Sequence, residues 1–145
     1  MNYNLPQNYE TFLIGEIELK KIIKNLPLKS QKYISTIGYL DEYDENSDKG
    51  KISYKNENLN VNFSRTVNRI KLYNKNEVYM IYGFLQKNNN VNEDVVLYCN
   101  FYRILTNFNY EEFIKFLNQK REIMKMCQEL NDFNLFWYDN TDKKK

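Results

Sequence analysis

The residue types that most often perform enzyme chemistry are scarce in this sequence. Histidine is absent, which excludes imidazole bases, Ser–His and Cys–His nucleophiles and the usual zinc sites. The glycines form no phosphate-binding loop, and no carboxylate pair stands in a catalytic motif. Acids crowd residues 41–48, but the calcium-binding loop with its closing Glu is absent. We therefore predict a protein that is not an enzyme and that uses no metal and no cofactor.

A second set of residues has the chemistry to contact nucleic acid, with basic side chains for phosphates and tyrosine rings for bases. These candidates are Lys51, Tyr54, Lys55, Arg65, Arg69, Lys71 and Tyr73. The formal net charge is only +2, however, and segments 41–48 (acidic) and 88–93 (mostly Asn) would not attract a phosphate backbone. A solvated basic face is the alternative. We expect this chain to bind single-stranded DNA only weakly, or through a complex.

Two thiols remain to be assigned, Cys99 and Cys127. We favour two buried thiols in a reducing compartment over one disulfide. Residues 1–6 carry neither the charged nor the apolar region of a secretory signal. No apolar run approaches the ~20 residues of a membrane span. We expect neither secretion nor a membrane partner.

The elements that must position these residues begin with an arm and a short helix in 1–31. At 145 residues and 42% hydrophobic composition, the chain suits one folded domain. Pro6 and Gly15 favour an extended arm. Helix-like apolar spacing and C-terminal lysines in 16–25 predict a helix, which Pro27 ends.

From residue 32 the pattern changes to strands. They are predicted at 33–43, 51–55, 58–64, 77–87 and 94–105. The third alternates apolar residues with Asn60 and Asn62, so it has one wet face. The fourth is apolar on both faces, and Gly38 in the first suggests a bulge or bend. We predict an all-β fold with flanking helices: a five-stranded Greek-key OB barrel, a short N-terminal helix and a long C-terminal α-helix.

The long helix, predicted from about Asn109 to Leu130, has an unusually wide apolar arc. One side comprises Tyr110, Phe113, Ile114, Leu117 and Met124, and the adjacent side comprises Phe116, Ile123, Cys127 and Leu130. A helix lying on one core needs an apolar stripe of only roughly 100°. Either the barrel and the arm cover the whole arc, or one side packs on the barrel and the other meets a partner helix, since an exposed apolar patch normally marks an interface.

The barrel and this helix are assigned to 32–130, which leaves 131–145 as a separate tail, first aromatic, then charged and partly disordered. Its Trp137 is either a satellite of the core or an anchor in a partner's pocket, where Trp is enriched.

With these elements placed, the chain resembles the smallest OB-fold subunit of the CST telomere-capping complex, a trimer akin to replication protein A. The matching segments are Leu5-Pro6…Tyr9…Leu13…Glu16-Ile17, Ile37-Gly38-Tyr39-Leu40, Tyr82-Gly83-Phe84-Leu85, Tyr102-Arg103-Ile104-Leu105 and Asn109-Tyr110-Glu111-Glu112-Phe113…Leu117…Lys120-Arg121. Each segment alone is weak, and their order and spacing carry the resemblance.

The resemblance implies a nuclear, telomeric assembly subunit that docks through the terminal helix and barrel flank on a larger OB-fold protein, the middle subunit of the heterotrimer. It further implies a role in telomere maintenance and C-strand fill-in, with indirect links to polymerase α–primase and, in some lineages, to the telomerase holoenzyme. Carried over by position, the partner interface is Phe113, Phe116, Leu117, Lys120, Ile123, Met124, Cys127, Leu130 and Trp137. A stand-alone single-strand-binding module and the small subunit of replication protein A remain alternatives.

Overall fold

Strands dominate the part of the chain up to Thr106, and one helix makes up most of the rest. The structure is a computed structural model that describes residues 9–66, 70, 77–88 and 95–142, with side chains to residue 131. The chain divides into two compact units, one ending at Thr106 and one starting at Asn107. The elements are β1 (Glu10–Leu13), α1 (Ile17–Asn25), β2 (Gln31–Asp44), β3 (Lys49–Tyr54), β4 (Glu57–Asn62), β5 (Val78–Lys87), β6 (Val95–Leu105) and α2 (Tyr110–Asp142).

The strand pairings confirm the predicted OB barrel. Strands β2, β3 and β4 pair in antiparallel order, β4 pairs in parallel with β6, β6 pairs with β5, and β5 returns to β2. This is the arrangement of a five-stranded, partly open Greek-key barrel. Strands β4 and β6 share three residue pairs, so the barrel is not fully closed there. Strand β1 adds a sixth strand, parallel to β2, from the segment predicted as an extended arm.

The barrel core is built from the alternating inner positions of the strands. Ile81 and Leu85 of β5 are fully buried, and Phe84, on the other face, is also buried. Both faces of β5 are therefore covered, as predicted. In β4 and just after it, Leu59, Val61 and Phe63 are buried and Asn60 is exposed, which confirms the predicted wet face. The buried apolar area is what makes this unit stable.

Two glycines lie in close contact with neighbouring atoms. At the register shift between β5 and β6, a Cβ on Gly83 would lie 2.0 Å from the carbonyl oxygen of Tyr98. Of the bulge or bend predicted at Gly38, the bulge is wrong, because the register shift in β2 falls between Leu40 and Glu42. Gly38 instead allows close packing, since its Cβ would lie 2.7 Å from Cδ1 of Ile14.

The acidic segment is less of a loop than predicted. Strand β2 continues to Asp44 and β3 begins at Lys49. Its carboxylates serve local structure: Asp44 accepts hydrogen bonds from the Asn46 N–H and the Ser47 hydroxyl, both at 3.0 Å. The Tyr43 hydroxyl donates to Asp48, and the Ser53 hydroxyl donates to Asp41. The acids therefore fix the β2–β3 hairpin.

The two helices begin as predicted, and the second runs further than expected. Helix α1 ends at Asn25, just before Pro27. Helix α2 runs to Asp142, so its predicted end at Leu130 is wrong, and the backbone of 131–142 is helical rather than a separate tail. The physical reason is that neither Gly nor Pro occurs after residue 83, and these are the residues that most strongly stop a helix.

Candidate functional site

Helix α2 starts at a cap that the sequence predicted. The side-chain oxygen of Asn109 accepts hydrogen bonds from the N–H groups of Glu111 and Glu112, at 3.0 and 3.3 Å. Its backbone carbonyl accepts the first helical bond, from Phe113, at 3.1 Å. These bonds satisfy donors that a helix start otherwise leaves unpaired, and the two glutamates favour the positive end of the helix dipole.

The exposure of the α2 side chains changes along its length. In the first turns, Leu117 is only 5% exposed and Phe113 is half-buried, with Phe108 at 5.5 Å between ring centroids. From residue 122 to residue 131, every side chain is exposed. The second half of the described helix therefore has an uncovered surface on all sides.

That uncovered surface is apolar over much of its area. The exposed large side chains are Phe116, Ile123, Met124, Met126 and Leu130, each between 58% and 60% exposed. Fully burying a side chain of this size stabilises a structure by roughly 1.5–3 kcal/mol relative to leaving it in water. Exposed apolar patches larger than those of a typical monomer can indicate a protein–protein interface, among other roles.

The exposed residues follow a seven-residue repeat. Phe116, Ile123 and Leu130 are spaced seven positions apart, with exposed Cys127 between the last two. Apolar residues at this spacing line the seam between two packed helices. Trp137 occupies the next position of the series, but its side chain lies outside the described residues. We name Phe116, Ile123, Met126, Cys127 and Leu130 the helix seam.

Some of the predicted interface residues are exposed in the structure and others are buried. Lys120 is exposed, as are the helix-seam residues among them. Met124, which sequence analysis assigned to the same side of the helix as Leu117, is exposed. Leu117 is only 5% exposed, so in the isolated chain it presents almost no surface. The prediction that Cys127 is buried is wrong, whereas Cys99 is buried, and both thiols are free.

Of the predicted nucleic-acid residues, Lys51, Tyr54, Lys55 and Arg65 lie among the described residues. Nζ of Lys51 lies 4.0 Å from the Glu42 carboxylate. Nζ of Lys55 lies 5.4 Å from the centre of the Tyr54 ring, and that ring is half-buried against the barrel core. Tyr54 is therefore a core residue more than a stacking platform. Candidates Arg69, Lys71 and Tyr73 lie outside the described residues, as does most of the predicted 88–93 loop.

Arg65 lies in different surroundings from Lys51. Its Nε donates a hydrogen bond to the Asn100 side-chain oxygen at 3.3 Å, and its guanidinium carbon lies 5.1 Å from the centre of the Phe84 ring. Both partners belong to strands β5 and β6. Among the described residues, no carboxylate lies within 4 Å of this guanidinium.

Sequence analysis missed an aromatic group near Arg65. Each of its rings has its centroid within 6 Å of the centroid of at least one other ring in the group. We call these residues the aromatic rows: Tyr9, Tyr33, Tyr82, Phe84, Tyr98 and Phe101. Tyr82 and Phe84 alternate with core residues Ile81 and Leu85, so they lie on the opposite face of β5. That alternation was visible in the sequence, but the neighbours on β2 and β6 depend on strand register.

Burial shifts the pKa of two barrel groups, Cys99 and Tyr102. Burial raises the pKa of the Cys99 thiol to about 12, and a thiol held protonated is a poor nucleophile. Burial, followed by the nearby Cys99, also raises the pKa of the Tyr102 hydroxyl. Among the described residues there is no group of three or more Cys, Asp and Glu side chains placed to hold a metal ion. In the same ranges, neither helix has the length and apolar content needed to cross a bilayer.

Comparison with solved structures places the fold beside a telomere capping protein. The crystal structure of Ten1 from Saccharomyces pombe matches with a TM-score of 0.57 and 10% identity, over 79% of this chain and 99% of that chain. The crystal structure of the S. pombe Stn1–Ten1 complex matches with a TM-score of 0.58 and 8% identity, over 81% and 95%. No family model and no curated protein matches the sequence. At such identities the likeness establishes the fold, and it agrees with the resemblance drawn from the sequence.

Proposed function

We propose that this chain is a non-enzymatic assembly subunit of a CST-like telomere-capping complex, and that it docks through α2 on a larger OB-fold protein. The observation that carries the proposal is the exposed apolar surface of α2 between residues 116 and 130. A helix of that composition is stable in water only at the cost of hydrating its large side chains. A partner that buries them would recover that free energy.

The helix seam specifies the form of the partner surface. A seven-residue repeat packs against another helix at a shallow crossing angle, with each side chain inserted between four of the partner's. We expect the partner to contribute a helix with a matching apolar repeat. The likeness to a structure of an Stn1–Ten1 complex supports an OB-fold protein of the Stn1 type as the one that carries it.

The proposed place of action is the telomere, within the nucleus. It is supported by the likeness to the telomere capping protein Ten1 and by the resemblance drawn from the sequence. Within such a complex the chain would stabilise its larger partner, and so support telomere maintenance and C-strand fill-in. Contact with telomerase and with polymerase α–primase would be indirect, through that partner.

Affinity purification of the tagged full chain at its native expression level, with mass spectrometry of what co-elutes, tests the proposal. We expect a stoichiometric complex with an OB-fold protein that associates with telomeres. Ile123→Glu and Leu130→Glu should each abolish the complex, because each places a charge in the helix seam. Gln128→Glu adds the same charge away from the seam and should leave the complex intact.

Two results would overturn the proposal. The first is a full yield of complex from both seam variants. The second is a wild-type partner that belongs to the general replication trimer, since the chain would then be a replication protein A subunit. Circular dichroism of each variant, with and without denaturant, verifies that the barrel remains folded.

A further inference from the structure

Four charged side chains border the helix seam. Three of them directly precede a member of its seven-residue repeat, and the fourth follows Phe116 by four positions. In a pair of packed helices, these positions lie at the border of the contact, and their charges decide which helices pair and in which direction. We call these four residues the seam flanks: Lys115, Lys120, Glu122 and Glu129.

The seam flanks are available to a partner. All four side chains are exposed, and among the described residues none of them lies within 4 Å of an opposite charge. The flanks near Phe116 are basic, whereas those between Ile123 and Leu130 are acidic. A helix that covers the whole seam therefore meets both signs of charge in a fixed order.

A second copy of this chain does not match these charges in a parallel pair of helices. The two-fold symmetry of a closed dimer keeps parallel helices in register. Each residue that precedes a repeat member then faces the residue five positions later on the other helix. Lys115 of each copy faces Lys120 of the other, which gives two repulsive pairs, and Glu122 faces the uncharged Cys127.

An antiparallel pair of copies sets acid against acid. Ile123 then meets an apolar position only at Met126 or at Phe133 of the other copy. The first register places Glu122 against Glu129 twice, and the second places Glu129 against its own counterpart. Like charges facing each other across an interface disfavour that pairing. The apolar repeat alone would allow self-association, and the flanks oppose it.

We infer that the seam flanks select a helix of a different protein, which presents acidic side chains to Lys115 and Lys120 and basic side chains to Glu122 and Glu129. The inference rests on the proposed docking through α2 and adds the chemistry that distinguishes the partner from a second copy. Opposite charges at these positions favour the correct pair, and like charges weaken the wrong one. Because the flanks border water, their effect falls as salt rises.

Sedimentation equilibrium of the full chain tests the rejection of a second copy. Glu129→Lys converts each repulsion between positions 122 and 129 into an attraction. We expect this variant to self-associate about tenfold more strongly than the wild type at low salt, the effect of two surface pairs that change sign. The difference should shrink at high salt.

The matched control for this variant is Lys125→Glu. Position 125 lies two residues after Ile123, about 200° around the helix and away from the seam. Both variants also place like charges at positions 125 and 129, so their cost to the helix itself is matched. Lys125→Glu should self-associate no more strongly than the wild type. Equal association of the wild type and Glu129→Lys would overturn the inference.

A synthetic helical peptide tests the chemistry of the partner. It has four heptads with Ile and Leu at the apolar positions, acidic flanks in its first half and basic flanks in its second half, which match α2 in a parallel pair. The control peptide has Gln at every flank. By fluorescence anisotropy, the full chain should bind the charged peptide about tenfold more tightly than the control peptide at low salt. Glu122→Lys combined with Glu129→Lys should remove this advantage and leave the affinity for the Gln peptide unchanged.

The outcomes separate this inference from the proposed function. Equal affinities for the two peptides, or an unchanged advantage in the double variant, would overturn the inference and leave the docking through α2 intact. Binding of neither peptide would overturn both, because the helix seam would then not be a docking surface. Circular dichroism should show an unchanged barrel and helix in every variant.

Discussion

The barrel and the second half of α2 differ in the burial of their large apolar side chains. In the barrel, Ile34, Ile52 and Ile81 are completely buried, and the acids of the β2–β3 hairpin are hydrogen-bonded locally. In α2, Ile123 and Leu130 remain more than half exposed. The barrel therefore buries its own core side chains, whereas large apolar side chains of the helix remain exposed. The proposed assembly role depends on this difference, since the helix has large apolar side chains left for a partner to bury.

The sharpest way to break the barrel is Gly83→Ala. The added methyl would lie 2.0 Å from a backbone oxygen of β6, and backbone cannot move aside as a flexible side chain can. We expect a loss of about 4 kcal/mol or more in the free energy of unfolding, at the upper end for single substitutions. Urea denaturation measures this loss, with Asn60→Ala on the wet face of β4 as the control. Equal urea midpoints for the two variants would contradict the close contact of Gly83 with the backbone of β6.

The two cysteines allow the difference in burial between the barrel and the helix to be measured by thiol reactivity. Cys127 is exposed on the helix seam, and Cys99 is buried with its pKa raised to about 12. Because the thiolate is the reactive form, a maleimide at neutral pH should modify Cys127 at least about a hundredfold faster than Cys99. Mass spectrometry of the Cys99→Ala and Cys127→Ala chains measures each rate. In the proposed complex, Cys127 should become protected, and similar rates for the two thiols would contradict their assigned burial.

A matched pair of substitutions compares the regions directly. Ile81→Ala empties a fully buried position and should destabilise the barrel by about 2–5 kcal/mol. Ile123→Ala makes the same change on the exposed helix and should alter stability by less than about 0.5 kcal/mol. Urea midpoints of the two chains give the difference. A large effect of Ile123→Ala on the isolated chain would mean that the helix seam is already covered.

The smallest expected effect concerns the start of α2. Asn109→Ala removes the side-chain oxygen that accepts bonds from two N–H groups and should cost about 1 kcal/mol of helix stability. Asn109→Asp keeps that oxygen and should restore the stability. Helical circular dichroism against temperature compares the variants, and an unaffected Asn109→Ala would mean that the cap contributes nothing.

Much of the fold was predictable because its signals are local. Alternation in 58–63, the two apolar faces of β5 and Pro27 after α1 each depend on residues close in sequence, and all three predictions are confirmed. The excess of apolar residues on the terminal helix was equally visible. The length of that helix was also open to prediction, since no Gly or Pro follows residue 83, but the aromatic cluster after residue 131 suggested a tail instead.

By itself, then, the sequence determined the order of the elements from α1 onward and the wide apolar arc of the terminal helix, whereas it predicted the β1 segment only as an extended arm. Only the tertiary structure decided that Leu117 is buried while Met124 is exposed, and that Tyr9, Phe84 and Arg65 share one surface. The physical reason is that periodicity acts within an element, whereas strand register and side-chain burial depend on residues distant in the chain. Sites built across strands therefore appear only once the pairing is known.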